Sequence, residues 1–192
     1  MSRRLLLTIA VLGAAATIAG LGTFATFTSS TSASHTIATG TLTLTAPFSR
    51  LGTGASNIAA GDTMQRAIDL SYSGTISFGS ATLTTSASPS STLDTDGTNG
   101  LQMTIDKCSA AWTESGPPYT YTCSGSTSTV LSSRAVIQSA AALSNLGSTT
   151  AGATDHLRVT LTLPSAAGNT FQNKSSTIQY TFTGTQRAAT NK

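Results

Sequence analysis

The side chains able to move protons or hold a metal are few. The chain contains six aspartates (Asp62, Asp69, Asp94, Asp96, Asp106, Asp155), one glutamate (Glu114), two histidines (His35, His156) and two cysteines (Cys108, Cys123). A His-Glu-x-x-His zinc site needs two histidines one helical turn apart with a general-base Glu between them. Here the histidines lie 121 positions apart and Glu114 stands beside neither. No Gly-x-Ser-x-Gly elbow occurs among the many serines, and no phosphate-cradling Gly loop ends in Lys. A Ser/His/Asp triad would have to use His156 with Asp155, and adjacent residues rarely orient one another in that way. Asp69 and Asp106 read as outward-facing strand positions, and the remaining aspartates as solvated turn formers. Asp94-Thr-Asp96-Gly97 resembles the start of a calcium loop but lacks the later ligands and the terminal bidentate Glu. The expectation is no catalytic centre, no metal and no cofactor.

Cys108 and Cys123 enclose 14 residues. In an exported chain the simplest reading is a disulfide; two buried thiols or half of a metal site are the alternatives. Closing a loop of about 15 residues would contribute on the order of 3 kcal/mol. Trp112, Tyr119 and Tyr121 lie between the two cysteines. They read either as sheet packing and loop anchors or as a glycan-stacking platform. Charged residues make up 9% of the chain and the formal charge is +3, which falls to near +1 without Arg3 and Arg4. With no Lys/Arg cluster, no nucleic-acid face is expected. A near-neutral polar surface tolerates self-association.

These residues must be positioned by strands. About a third of the chain is Ser or Thr; Thr suits a pleated sheet, while Ser and Gly suit turns. Residues 1–25 have the form of a secretory signal, with Arg3-Arg4, an apolar run from Leu5 to Leu21, and small residues before a cut between Ala25 and Thr26. An uncleaved anchor and a twin-arginine signal are the alternatives, and the membrane is met only through this segment. Residues 26–40 read as a polar arm and 41–192 as the folded domain. Alternation predicts strands at Thr41–Thr45, Ile68–Tyr72, Thr75–Phe78 with a bulge at Gly79, Leu101–Cys108, Tyr119–Cys123, Leu157–Leu163 and Ile178–Phe182. Ser86–Gly100 reads as loop, Ser124–Ser133 as polar linker and Ala135–Leu146 as a short helix closed by Gly147. The fold expected is an all-β antiparallel sandwich behind an N-terminal signal helix.

Three stretches resemble the TasA/camelysin (CalY) family of exported, fibre-forming matrix proteins. They are Gly22-Thr-Phe-Ala-Thr-Phe27 with Ala38-Thr-Gly-Thr-Leu-Thr-Leu44; Ala60-Gly-Asp62 with the strand after it; and Phe171-Gln-Asn-Lys-Ser175 leading to Ile178-Gln-Tyr-Thr-Phe-Thr-Gly-Thr-Gln186. The Cys108/Cys123 middle departs from the lysine-rich members. The resemblance implies a jelly-roll sandwich, processing by a SipW-type signal peptidase, and an extracellular or cell-surface place on a bacterium. It also implies head-to-tail self-assembly through an arm carrying Thr26, Phe27, Ile37, Leu42 and Leu44, with other matrix components as possible partners. The alternatives are a monomeric adhesin or glycan-binding sandwich, and the secreted metalloprotease that the camelysin name suggests.

Overall fold

The computed structural model describes residues 42–147, 150 and 152–189. The signal helix, the cut at Ala25/Thr26, and Phe27, His35 and Ile37 lie outside the described residues. One compact unit covers Gly40–Lys192. Its strands are β1 (Leu42–Ser49), β2 (Thr63–Gly74), β3 (Phe78–Ala87), β4 (Gln102–Cys108), β5 (Thr113–Ser115), β6 (Thr120–Thr122), β7 (Thr127–Ala135), β8 (Ala141–Leu143), β9 (Thr154–Thr162) and β10 (Ile178–Gln186). They form a five-stranded sheet ordered β1-β2-β9-β4-β7, a three-stranded sheet β10-β3-β8 and a two-stranded ribbon β5-β6. All pairings are antiparallel. The expected all-β class is what the chain adopts.

β9 shows how sequence dictates this arrangement. Leu157, Val159 and Leu161 are buried while His156, Arg158 and Thr160 are not, so period-two alternation gives the strand one core face. Being in the middle, it pairs with β2 on one side and β4 on the other. Ile68, Leu70, Met103, Ile105 and Leu131 meet it from its own sheet, and Leu83 closes the core from β3. Burying each such side chain contributes about 1.5–3 kcal/mol.

Gly74 does not open a hairpin. The chain crosses there to the second sheet, and β3 starts only at Phe78, later than the alternation suggested. The bulge at Gly79 is present: Thr185 faces Ser80 and Gln186 faces Phe78, leaving Gly79 unmatched. A Cβ there would sit 2.9 Å from the Arg187 Cα. Phe78 packs on Tyr72, ring centroids 4.3 Å apart, and its ring occupies the space a side chain at Gly184 would need. That contact locks β10 against the crossing.

Three expectations require correction. Thr127–Ala135 is strand β7, not linker; Val130 and Leu131 are both buried because the register with β4 slips around Ile105, which hides the alternation. Ala135–Leu146 holds no helix, only the short strand β8, since pairing with Ala81–Leu83 overrides the helix propensity of alanine. Ser86–Gly100 contains a helical turn, α1 (Thr92–Thr95), with a Ser91/Asp94 capping box.

Candidate functional site

Each acidic or basic candidate is placed by a strand or a turn against a specific partner. His156 Nδ1 lies 2.6 Å from Asp69 Oδ1 across the β2–β9 pair, on the outer face of the large sheet. Arg158 donates to Asp106 from β9 to β4 at 2.9 Å. Asp155 is not a solvated turn former but a buried strand residue facing inward. Its Oδ1 accepts from the Gly147 N–H at 2.8 Å and lies 3.3 Å from the Lys107 ammonium. Asp94, read as solvated, is also buried. Burial pushes its carboxyl up, but the hydroxyls of Ser176 and Ser90 and the Ser91 amide outweigh this and hold it below the usual carboxylate range. Asp96 does form a turn, accepting from the Thr98 and Asn99 amides at 2.9 Å each. Asp62 accepts from the Ala59 amide at 2.7 Å. Among the described residues no three His, Cys, Asp or Glu side chains converge on one metal-sized space.

Glu114 stands on β5 of the ribbon. Arg50, at the end of β1, donates to both of its oxygens at 3.0 and 3.1 Å, and the Tyr121 hydroxyl donates to Oε2 at 2.7 Å. The tyrosine hydrogen bond, followed by the Arg50 bonds and charge, holds Glu114 below its ordinary range against desolvation. Cys108 and Cys123 are joined in a disulfide with Cα atoms 5.7 Å apart. Trp112 donates its indole N–H to the His156 carbonyl at 2.9 Å and lies under the Arg158 guanidinium, 4.5 Å away. Tyr121 is buried and Tyr119 faces Arg66 and Arg50. The aromatics thus anchor the ribbon, each on a different partner, instead of lining one flat platform.

The sheet edges are unequal. Among the described residues β1 pairs only with β2, but its pairing bulges between Thr45 and Phe48, around Pro47. Proline and a bulge on an edge both oppose further pairing. The β7 edge is capped, since the Ser144 backbone amide and hydroxyl donate to the Val130 carbonyl and the Asn145 side-chain Nδ2 to that of Thr129. β8 is three residues long. β10 is different. It runs for nine residues without proline or charge, and among the described residues it pairs only with β3. Alternate N–H and C=O groups of such a strand point away from its partner.

The inner face of β10 is also incompletely covered. Ile178, Tyr180 and Phe182 pack against the core while remaining partly exposed. Beside them lies a groove of about 760 Å³, with Met64, Leu101, Leu161 and Leu163 in its floor. Burial pushes the Tyr180 phenol up to about 12, with the Arg66 charge opposing. One groove wall, Thr53–Gly54, is tied down by the buried Arg66, whose guanidinium donates to the Thr53 and Gly54 carbonyls at 2.6 and 2.7 Å. Of the residues expected to form the assembly arm, Leu42 and Leu44 pair with Gly74 and Tyr72 of the same chain. The open β10 edge had its signal in the uncharged, proline-free run Ile178–Gln186. The groove had none, because loops remote from one another in sequence meet over strand residues to form it.

No curated protein matches the chain. The camelysin metallo-endopeptidase family matches residues 1–191, nearly the whole chain, so the resemblance read from its two ends is real and the chain belongs to that family.

Proposed function

We propose that this chain is an exported structural subunit that polymerises by strand donation: residues 26–41 of one copy add to the β10 edge of the next. The observation that carries the reading is the nine-residue uncharged edge of β10 with its partly exposed inner face. An extended segment from another copy would pair the outward backbone groups and cover Ile178, Tyr180 and Phe182. The arm has 16 residues between the expected cut after Ala25 and the start of β1. At about 3.3 Å per residue it reaches roughly 50 Å, against roughly 30 Å for β10, which leaves slack for a linker. A contact between unlike surfaces does not close on itself, so it propagates as a fibre. Membership of the family supports export, with processing by a SipW-type peptidase between Ala25 and Thr26 and an extracellular or surface location. Electron micrographs of the purified mature protein should show filaments, and deleting Thr26–Thr36 should abolish them. Monomers that persist across concentration and pH would overturn the reading.

The family name describes a metallo-endopeptidase, but the described residues do not fit a zinc peptidase centre. Both oxygens of Glu114, the single glutamate, are engaged by Arg50 and Tyr121, and among the described residues no third His, Cys, Asp or Glu joins His156 and Asp69 around a metal-sized space. Cys108 and Cys123 are oxidised to one another and cannot act as thiolate ligands. No catalytic step is therefore assigned to the chain.

A further inference from the structure

β1 is held only lightly by its own side chains. None of its described side chains is buried, Leu44 alone touches the core, and Phe48 is 41% exposed. Yet β1 follows directly on the arm, and a strand peeled from its Leu42 end would unzip toward Arg50. Arg50 is where the ribbon takes hold. The ribbon leaves the sheet at Cys108, the end of β4, and closes covalently at Cys123. From there it crosses the outer face of the large sheet. Trp112 is fixed on β9 through the His156 carbonyl and Arg158. The Tyr121 amide donates to the Gln65 side chain on β2 at 3.3 Å. Ala67, on the outward parity of β2, is buried at 3% exposure. The span ends at Glu114, which receives two bonds from Arg50, while the Arg50 amide donates to the Ala67 carbonyl at 2.9 Å. Arg66 stacks on Tyr119 of the ribbon, 5.1 Å away, while holding the groove wall. Two three-residue strands would not persist alone; the disulfide and these anchors hold them.

We propose that the disulfide-closed ribbon from Ser109 to Thr122 is a clasp that locks β1 onto its own sheet, so that strand donation ends at residue 41. This rests on the strand-donation reading for its purpose, though not for its test. Glu114 is the positioning residue: a paired carboxylate that accepts from a fork-shaped guanidinium resists both sliding and twisting of the strand end. Without the clasp, β1 would leave together with the arm, and each copy would donate a longer segment.

The test is hydrogen exchange of the β1 amides in dilute, soluble mature protein, where the result does not depend on whether filaments form. Oxidised Glu114→Ala protein should exchange β1 severalfold faster than wild type, with β9 unchanged. Reduction by dithiothreitol, or Cys108→Ser with Cys123→Ser, should accelerate β1 further. If the cysteine variant loses β9 protection as well, it has unfolded, and the oxidised Glu114→Ala protein decides. Equal β1 protection in wild type and Glu114→Ala overturns the proposal. A second readout fixes the boundary. Thr43 and Ser73 face one another across β1 and β2, so Thr43→Cys with Ser73→Cys should bridge within one chain in wild-type filaments. In the Glu114→Ala background that intrachain bridge should be lost, because β1 leaves Ser73 when it is donated. Intrachain bridging in both backgrounds contradicts the clasp; absence of wild-type filaments would instead sink the strand-donation reading.

Discussion

β1 and β10 are both edge strands, and they are built to opposite ends. β1 carries Pro47 within a register shift, and the disulfide-closed ribbon grips its far end through Arg50 and Glu114. β10 is longer, uncharged and regular except at its last residues, and one side of it is open among the described residues. A protein that needed both edges quiet would have blunted both, as natural sheets do. Under the proposed strand donation, the difference separates an edge kept for the chain's own pairing from one left to receive a neighbour.

The comparison can be broken most severely by charge. Thr181→Lys with Thr183→Lys places two ammonium groups on adjacent outward positions of β10 and should eliminate filaments by sedimentation and microscopy. The matched pair Thr43→Lys with Thr45→Lys on β1 should leave polymer yield within about twofold. Equal loss from both pairs would erase the distinction between the edges.

Packing gives the next largest effect. Leu157→Ala, in the fully buried centre of β9, should cost about 2–5 kcal/mol in denaturant unfolding of monomer and polymer alike. Phe182→Ala should cost about 1–2 kcal/mol in the monomer, because Phe182 is partly exposed, and more in the polymer. Identical Phe182→Ala penalties in the two states would mean nothing covers β10 on assembly.

The ribbon supplies a third prediction. Reducing Cys108–Cys123 should lower stability by about 3 kcal/mol, the value for a loop of roughly 15 residues. The loss should be concentrated in β1 and the ribbon when mapped by hydrogen exchange. Loss spread evenly over β9 and β3 would show that the bridge serves the whole sandwich instead.

How much of this was legible is best seen strand by strand. β9 and β10 declare themselves because one residue in two is apolar and the other is not. The bulge at Gly79 was readable from a parity shift, and the disulfide from the even cysteine count. β7 was hidden because its two buried residues, Val130 and Leu131, are neighbours, so the bulge that admits both destroys the alternation. Asp94 and Asp155 were misread for a different reason. Their burial depends on partners remote in sequence, Ser176 for one and Lys107 for the other, and no local pattern records such contacts. The ribbon's grip on Arg50 spans 64 positions and was equally invisible.

The smallest effect is on pH. Tyr180 has its folded-state pKa raised to about 12, above the ordinary value near 10, so its contribution is fully present below about pH 10 and is lost as pH rises toward 12. With the ring partly solvated in the monomer, the loss should be on the order of 1 kcal/mol. Glu114 and Asp94 are shifted the other way. Their contributions are present above about pH 4 and lost as pH falls below it, which should loosen the ribbon and the root of β10 in acid. Thermal melts from pH 3 to 12 check both limbs.

The most direct measurement is a cryo-electron-microscopy map of the mature polymer at a resolution that traces strands. The account predicts a fourth strand on the β10-β3-β8 sheet, formed by residues between 26 and 41 of the neighbouring copy and lying against β10, with β1 still paired to its own β2. A bare β10 edge in the polymer, or a donated strand seated on any other edge, would contradict it.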